Sequence, residues 1–81
     1  MKLTILAPNM TQLENGKFTI LFSYNTPVAA INTDTGVAFK TNEFHSRTTN
    51  AHISKWASKH GFTNYRNIAS VSQTEIEGMA S

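Results

Sequence analysis

The stretch Lys17-Phe18-Thr19-Ile20-Leu21-Phe22-Ser23-Tyr24 decides the fold, because its apolar and polar residues alternate. Phe18, Ile20, Phe22 and Tyr24 share one face, and Lys17, Thr19, Leu21 and Ser23 share the other. A period of two is that of a β-strand, here with the aromatic face turned toward a core. Asn15-Gly16 ahead of it is a turn signal. Behind it, Asn25-Thr26-Pro27 interrupts the run, since proline donates no ladder hydrogen bond and pushes Thr26 toward extended geometry. A second β-prone run, Val28 to Ile31, follows. Asn32-Thr33-Asp34-Thr35-Gly36 then turns the chain into Val37-Ala38-Phe39-Lys40, so the segment predicts an antiparallel meander. Thr4 to Leu6 is either one more strand or a partner for Lys17 to Tyr24.

The period changes after Phe44. Ser46-Arg47-Thr48-Thr49 offers several N-cap candidates, and Ile53, Trp56, Ala57 and His60 then recur at helical spacing until Gly61 supplies a C-cap. This predicts a helix over residues 49–60, with Asn50, Ser54, Lys55, Ser58 and Lys59 outward. Phe62 to Arg66 reads as a connector and Asn67 to Val71 as a last short strand. Ser72-Gln73-Thr74-Glu75 is a capping box that opens a terminal helix ending at Gly78. The fold class is therefore α+β: a small antiparallel meander of three to five strands, one main helix packed on one face, and a short C-terminal helix. Trp56 and Ile53 are expected to pack on Phe18, Ile20 and Phe22.

Size and composition set the outer limits. A chain of 81 residues makes one domain, residues 1–81, and 40% hydrophobic against 15% charged residues is the balance of a chain that folds. No apolar run approaches the roughly 20 residues of a membrane-spanning helix. The opening Met1 to Pro8 has one lysine and too short an apolar stretch for a signal peptide, which places the expectation in the cytosol. Cysteine is absent, which excludes a disulfide framework and Cys-based zinc sites. A chain this short buries only about 60% of its unfolded surface, so dimerisation or a partner would add stability.

Net charge is only +2, but it is unevenly placed. Residues 40–66 carry Lys40, Arg47, Lys55, Lys59 and Arg66 against Glu43 alone, and hold His45, His52 and His60 as well. The end of the chain carries only Glu75 and Glu77. A basic middle and an acidic tail thus point to partner contacts through the middle.

Catalysis requires acid and base groups within hydrogen-bond reach of each other, and the inventory is thin. Asp34 sits in a turn, Glu75 and Glu77 lie two apart on a helix, and no Gly-x-Ser-x-Gly elbow occurs. The reading is of a non-enzyme without cofactor or metal, since His52 and His60 stand about 12 Å apart along a helix. An anion is one candidate ligand: Thr48, Thr49 and Asn50 would offer unpaired backbone N–H groups, Arg47 a guanidinium fork and Ser46 a hydroxyl. Alternatively Thr48 or Thr49 merely caps the helix. Nucleic acid is another, with Lys40, Arg47, Lys55, Lys59 and Arg66 on phosphates and Phe44, Phe62 or Tyr65 on bases. Protein binding leads, through exposed strand edges and anchors such as Tyr24, Tyr65 or Phe62.

Two segments together carry a likeness: Ser23-Tyr24-Asn25-Thr26-Pro27-Val28-Ala29-Ala30, and Ser46-Arg47-Thr48-Thr49-Asn50-Ala51-His52-Ile53-Ser54-Lys55-Trp56. With Val71, Ser72, Gln73 and Glu75 they resemble a family of short bacteriophage proteins that share a Tyr-x-Thr-Pro-Val-Ala stretch, a glycine turn and a Thr-Thr-x-x-His-Ile-x-x-Trp helix, over roughly residues 18–75. The resemblance implies a phage-encoded protein acting in the host bacterial cytoplasm and brings no activity with it. Joined to the missing acid and base groups, it gives the reading of a non-catalytic accessory protein that binds and modulates a host macromolecule of defence or nucleic-acid metabolism. It assigns no catalytic role to any residue. This chain departs from the pattern in its polar helix end, Ala57-Ser58-Lys59-His60. The residues singled out for a partner or ligand are Tyr24, Lys40, Ser46, Arg47, Thr48, Thr49, His52, Lys55 and Lys59. Thr26-Pro27 and Thr48-Thr49 with His52 either fix the fold, His52 bonding across to the sheet, or face one shared pocket.

Overall fold

The computed structural model describes residues 2–62 and 68–80. Six strands form one sheet in the order of the sequence: β1 (Lys2–Ala7), β2 (Met10–Asn15), β3 (Phe18–Ser23), β4 (Thr26–Asn32), β5 (Ala38–Thr41) and β6 (Ile68–Val71). The first five are antiparallel neighbours, as short turns require; β6 is parallel to β5. That last pairing corrects the expected all-antiparallel meander of at most five strands. A parallel neighbour needs a crossover, and helix α1 (Arg47–Lys59) supplies it. A second helix, α2 (Gln73–Met79), closes the described chain. The folded surface of 4836 Å² is close to the roughly 4,900 Å² that surface scaling gives for this mass.

Turn chemistry fixes the register. Pro8-Asn9 joins β1 to β2 with Asn9 at φ 61, and Gly16-Lys17 joins β2 to β3 with Gly16 at φ 59. Between β4 and β5, the Asn32 side chain accepts from the N–H groups of Asp34 and Thr35. Pro27 lies inside β4 instead of ending the run at Thr26. The pairing shifts there, between Leu21 and Phe22, and Val28 takes the extra place.

Register also overturns one expectation about the core. Leu21, Ala29, Ile31 and Ala38 turn to the α1 face, where they pack with Met10, Val28, Ile53, Trp56, Ala57 and Ile68. Trp56 and Ile53 thus meet the Leu21 face of β3 and not the Phe18, Ile20, Phe22 face. The reason is that the sheet has two covered sides. Ile20 and Ala30, paired in register, are fully buried on the opposite face, where α2 lies across β4 and β5 with Ile76 also fully buried. The polar set Thr19 and Ser23, read as the outward face, points into the α1 layer and is buried.

Helix α1 begins two residues before the expected start. Ser46 is the N-cap, its Oγ accepting from the Thr49 N–H at 3.0 Å, so neither Thr48 nor Thr49 caps. At the other end, His60 is the C-cap and Gly61 follows at φ 92. The α2 cap is as expected, with the Glu75 N–H donating to Ser72 Oγ at 3.2 Å. Gly78 falls inside this helix and does not end it.

The two faces separate experimentally. Leu21→Ala, at a fully buried site, is expected to cost about 2–5 kcal/mol in denaturant melts. Phe22→Ala, on the partly open face, is expected to cost clearly less despite the larger side chain removed. The reverse order would put α1 on the wrong side of the sheet.

Candidate functional site

At the end of the sheet where β3 turns into β4, polar side chains tie α1 to β3. Ser23 Oγ lies 2.8 Å from His52 Nδ1 and 3.0 Å from Thr49 Oγ1. Ser46 Oγ donates to Thr49 Oγ1 at 3.2 Å. Running the protons from Ser46 through Thr49 and Ser23 to His52 gives every hydroxyl a partner and leaves the imidazole proton on Nε2. Ser23, Thr49 and His52 are all buried, and no carboxylate joins them in these bonds. The network is a strut between layers: His52 does bond across to the sheet. It also spends the Thr49 N–H on Ser46, while the Asn50 N–H donates to the Ser46 carbonyl at 3.0 Å. The anion cradle expected from Thr49 and Asn50 is therefore closed.

Tyr24 sits directly outside this strut. Its backbone is left-handed, φ 58, in the two-residue turn between Ser23 and Thr26. Glycine is the usual occupant of that region; a tyrosine there carries backbone strain of order 1–3 kcal/mol. Two contacts hold it: its N–H donates to the Asn9 carbonyl at 2.7 Å, and its ring lies 6.1 Å from that of His52, tilted by 44°. The ring is nonetheless 50% exposed. It rims a hollow of about 300 Å³ on the face opposite α1, lined by Leu3, Thr11, Leu13, Phe22, Tyr24 and Asn25. Helix α2 lies over β4 and β5, with Ile20 of β3 buried at its margin, and the outer strands stay open, so Leu3 is 65% and Ile5 79% exposed.

The remaining sequence-picked residues lie elsewhere. Arg47, Thr48, Lys55 and Lys59 are exposed along α1, on the far side of the sheet from the hollow. Lys40 lines a separate groove of about 200 Å³ with Glu43, Phe44, Asn50 and Ile53. Phe62 packs at the margin of the core, which removes it as an anchor. Tyr65, Arg66 and Asn67 lie outside the described residues. Of the nine residues singled out, the structure thus joins Tyr24, Ser46, Thr49 and His52 at one end of the sheet, and sets the cations apart from them. Sequence reasoning missed Ser23, Leu3, Ile5 and Leu13. The signal was present for Leu3 and Ile5, which alternate with Lys2 and Thr4 in the first strand.

A second polar cluster secures the other end of α1. The carbonyl of the Gln12 side chain accepts from Trp56 Nε1–H and from His60 Nε2, each at 2.9 Å. The His60 ring stands edge-on to Trp56 at 5.0 Å. Burial, and then the neighbouring Lys59, hold the His60 imidazole below its ordinary value, with Glu14 opposing. Among the described residues, no three His, Asp or Glu side chains gather as a metal set. No helix there is long and apolar enough to cross a membrane.

The chain belongs to a family of unknown function, DUF8033, whose model matches residues 1–78. No curated protein and no solved structure is matched by it.

Two measurements check these clusters. Gln12→Leu removes the acceptor of a buried indole N–H and is expected to cost about 1–3 kcal/mol, read as a lower Tm by several degrees for a domain of this size. For His60, the fold favours the neutral ring. Its contribution to stability is complete above the ordinary value of 6.5 and is lost as pH falls from there through the lower folded value. Stability curves of the protein and of His60→Gln from pH 8 down to about 5 should diverge below 6.5, the natural chain losing more. Parallel curves would remove His60 from the balance.

Proposed function

We propose that this protein is a non-catalytic binding module, a phage accessory protein that docks a host protein in the bacterial cytoplasm and modulates it. The observation that carries the reading is Tyr24. A half-exposed aromatic ring is kept where glycine would relieve the backbone, at the rim of an apolar face that the protein's own helices leave open. Strain retained at an exposed position is characteristic of binding sites, and tyrosine is among the residues that dominate interface energies. Leu3, Leu13 and Phe22 supply the apolar floor, the exposed Ile5 extends it on the same face, and no charged side chain is among the residues lining the hollow. An open apolar face of this kind marks a protein contact.

The non-catalytic part is supported by the burial of the Ser23–His52 pair, which holds the layers together. The phage and host parts are supported by the Tyr-x-Thr-Pro-Val-Ala and Thr-Thr-x-x-His-Ile-x-x-Trp likeness. In the first of these segments Tyr24 is the anchor proposed here; in the second, Thr49 and His52 form the strut beneath it.

Tyr24→Gly tests the reading, because strain and binding then move in opposite directions. The variant is expected to melt no lower than the natural chain by more than about 1 kcal/mol, since relief of the turn offsets the lost ring contact. It is also expected to retain none of the host protein that the natural chain captures stoichiometrically from bacterial lysate, and Leu3→Lys should behave likewise. Equal capture by all three chains, or no stoichiometric capture by the natural chain, refutes the proposal.

A further inference from the structure

The outer face of α1 carries a second, chemically different surface. Its exposed residues are Arg47, Thr48, Asn50, Ala51, Ser54, Lys55, Ser58 and Lys59, and the helix contains no aspartate or glutamate. None of Arg47, Lys55 and Lys59 forms an ion pair with a described residue. At about 1.5 Å per residue, Arg47 and Lys55 stand about 12 Å apart along the axis and Lys55 and Lys59 about 6 Å.

These charges work against the helix that bears them in two ways. Arg47 is the first helical residue, with no acid in that turn, so its charge meets the positive end of the macrodipole. Lys55 and Lys59 are an i,i+4 pair of like charge, which destabilises a helix by a few tenths of a kcal/mol. No acidic side chain on the helix compensates either. The acids that balance the chain elsewhere include Glu75 and Glu77 on α2, across the sheet. We infer that this face binds the phosphate backbone of double-stranded nucleic acid, whose charge relieves both conflicts.

The side chains between the cations favour nucleic acid over an acidic protein. Protein interfaces are depleted in lysine at their centre and depend on aromatic or aliphatic anchors. The outward α1 face has neither an aromatic residue nor an aliphatic one larger than Ala51. Arg, Lys, Ser, Thr and Asn are instead the side chains that contact phosphate and sugar, fixing position without reading sequence. No ring stands among the cations of the helix, the exposed Phe44 lying to one side in the groove beside Asn50, so the ligand is a duplex backbone and not a run of splayed single-stranded bases. The surface lies on the opposite side of the sheet from the Tyr24 hollow, so it stands independently of the proposed host-protein contact.

Fluorescence anisotropy with a random duplex of about 20 base pairs, in salt from about 20 to 200 mM, tests the inference. Three phosphate contacts should give a log K against log salt slope of about −2.7, and Lys55→Gln or Lys59→Gln should each reduce its magnitude by about 0.9. Arg47→Glu should abolish binding while leaving Tm equal or higher, because an acid at that position suits the dipole; loss of binding therefore cannot be ascribed to unfolding. Tyr24→Gly should bind duplex as the natural chain does. Three results would overturn the inference: no binding at the lowest salt, equal binding by the charge variants, or poly-glutamate bound as tightly as duplex, which would assign the face to an acidic protein.

Discussion

Everything in this fold follows from the double burial of adjacent residues on β3. Ile20 and Leu21 point to opposite sides of the sheet, and both are fully shielded from water. A strand satisfies that only if a layer lies on each side of it. The chain provides one layer as the crossover helix between two parallel strands and the other as the short helix after the last strand. Trp56, fully buried above Leu21's side of the sheet, and Ile76, on Ile20's side, are the residues by which each layer makes its claim on the core.

The supply of helix is insufficient to cover both sides completely. Six strands at about 4.8 Å spacing put the two outer strands about 24 Å apart, within a molecule whose longest dimension is 29 Å. Against this, 13 residues of α1 and 7 of α2 give rods of about 20 and 10 Å. The shorter rod sits where β4 and β5 need it, and the other half of that face stays bare. The open apolar surface is therefore a result of geometry in a small chain. Its rim, with a tyrosine where glycine would rest more easily, is what gives it the character of a site. The two helices also divide the charge: cations outward on one layer, carboxylates on the other.

Much of this was legible in the sequence, and the failures have physical causes. The strands β3, β4 and β5, the main helix, the capping box at Ser72 and the α+β class follow from periodicity and turn residues. The inward face of β3 does not, because Phe18, Ile20 and Phe22 are more apolar as a set than Thr19, Leu21 and Ser23. A rule that sends the more apolar face to the main helix has no means of knowing that Ser23 and Thr19 are needed inside, Ser23 as the hydrogen-bonding base for Thr49 and His52. The sixth strand was read, as Asn67 to Val71, but its parallel direction was hidden: four residues with two exposed ones carry too little pattern to declare it. At the candidate site, Tyr24, Thr49 and His52 were picked from resemblance and position, whereas the hollow beside Tyr24 depends on where α2 stops, which no local pattern encodes.

The parallel pairing of β5 with β6 has a bearing on how the chain assembles. Ala38 meets Ile68, thirty positions onward, while β1 to β4 join through two-residue turns. Loop closure favours near neighbours, so the hairpins can zip in succession, whereas the last strand gains nothing until the whole intervening helix has been laid down. The carboxyl-terminal third is thus the natural latecomer and the natural first piece to detach. When it detaches, the side of Ile20 now under α2 becomes continuous with the bare half beside it, so a nascent or partly opened molecule presents a far broader greasy surface than the finished one.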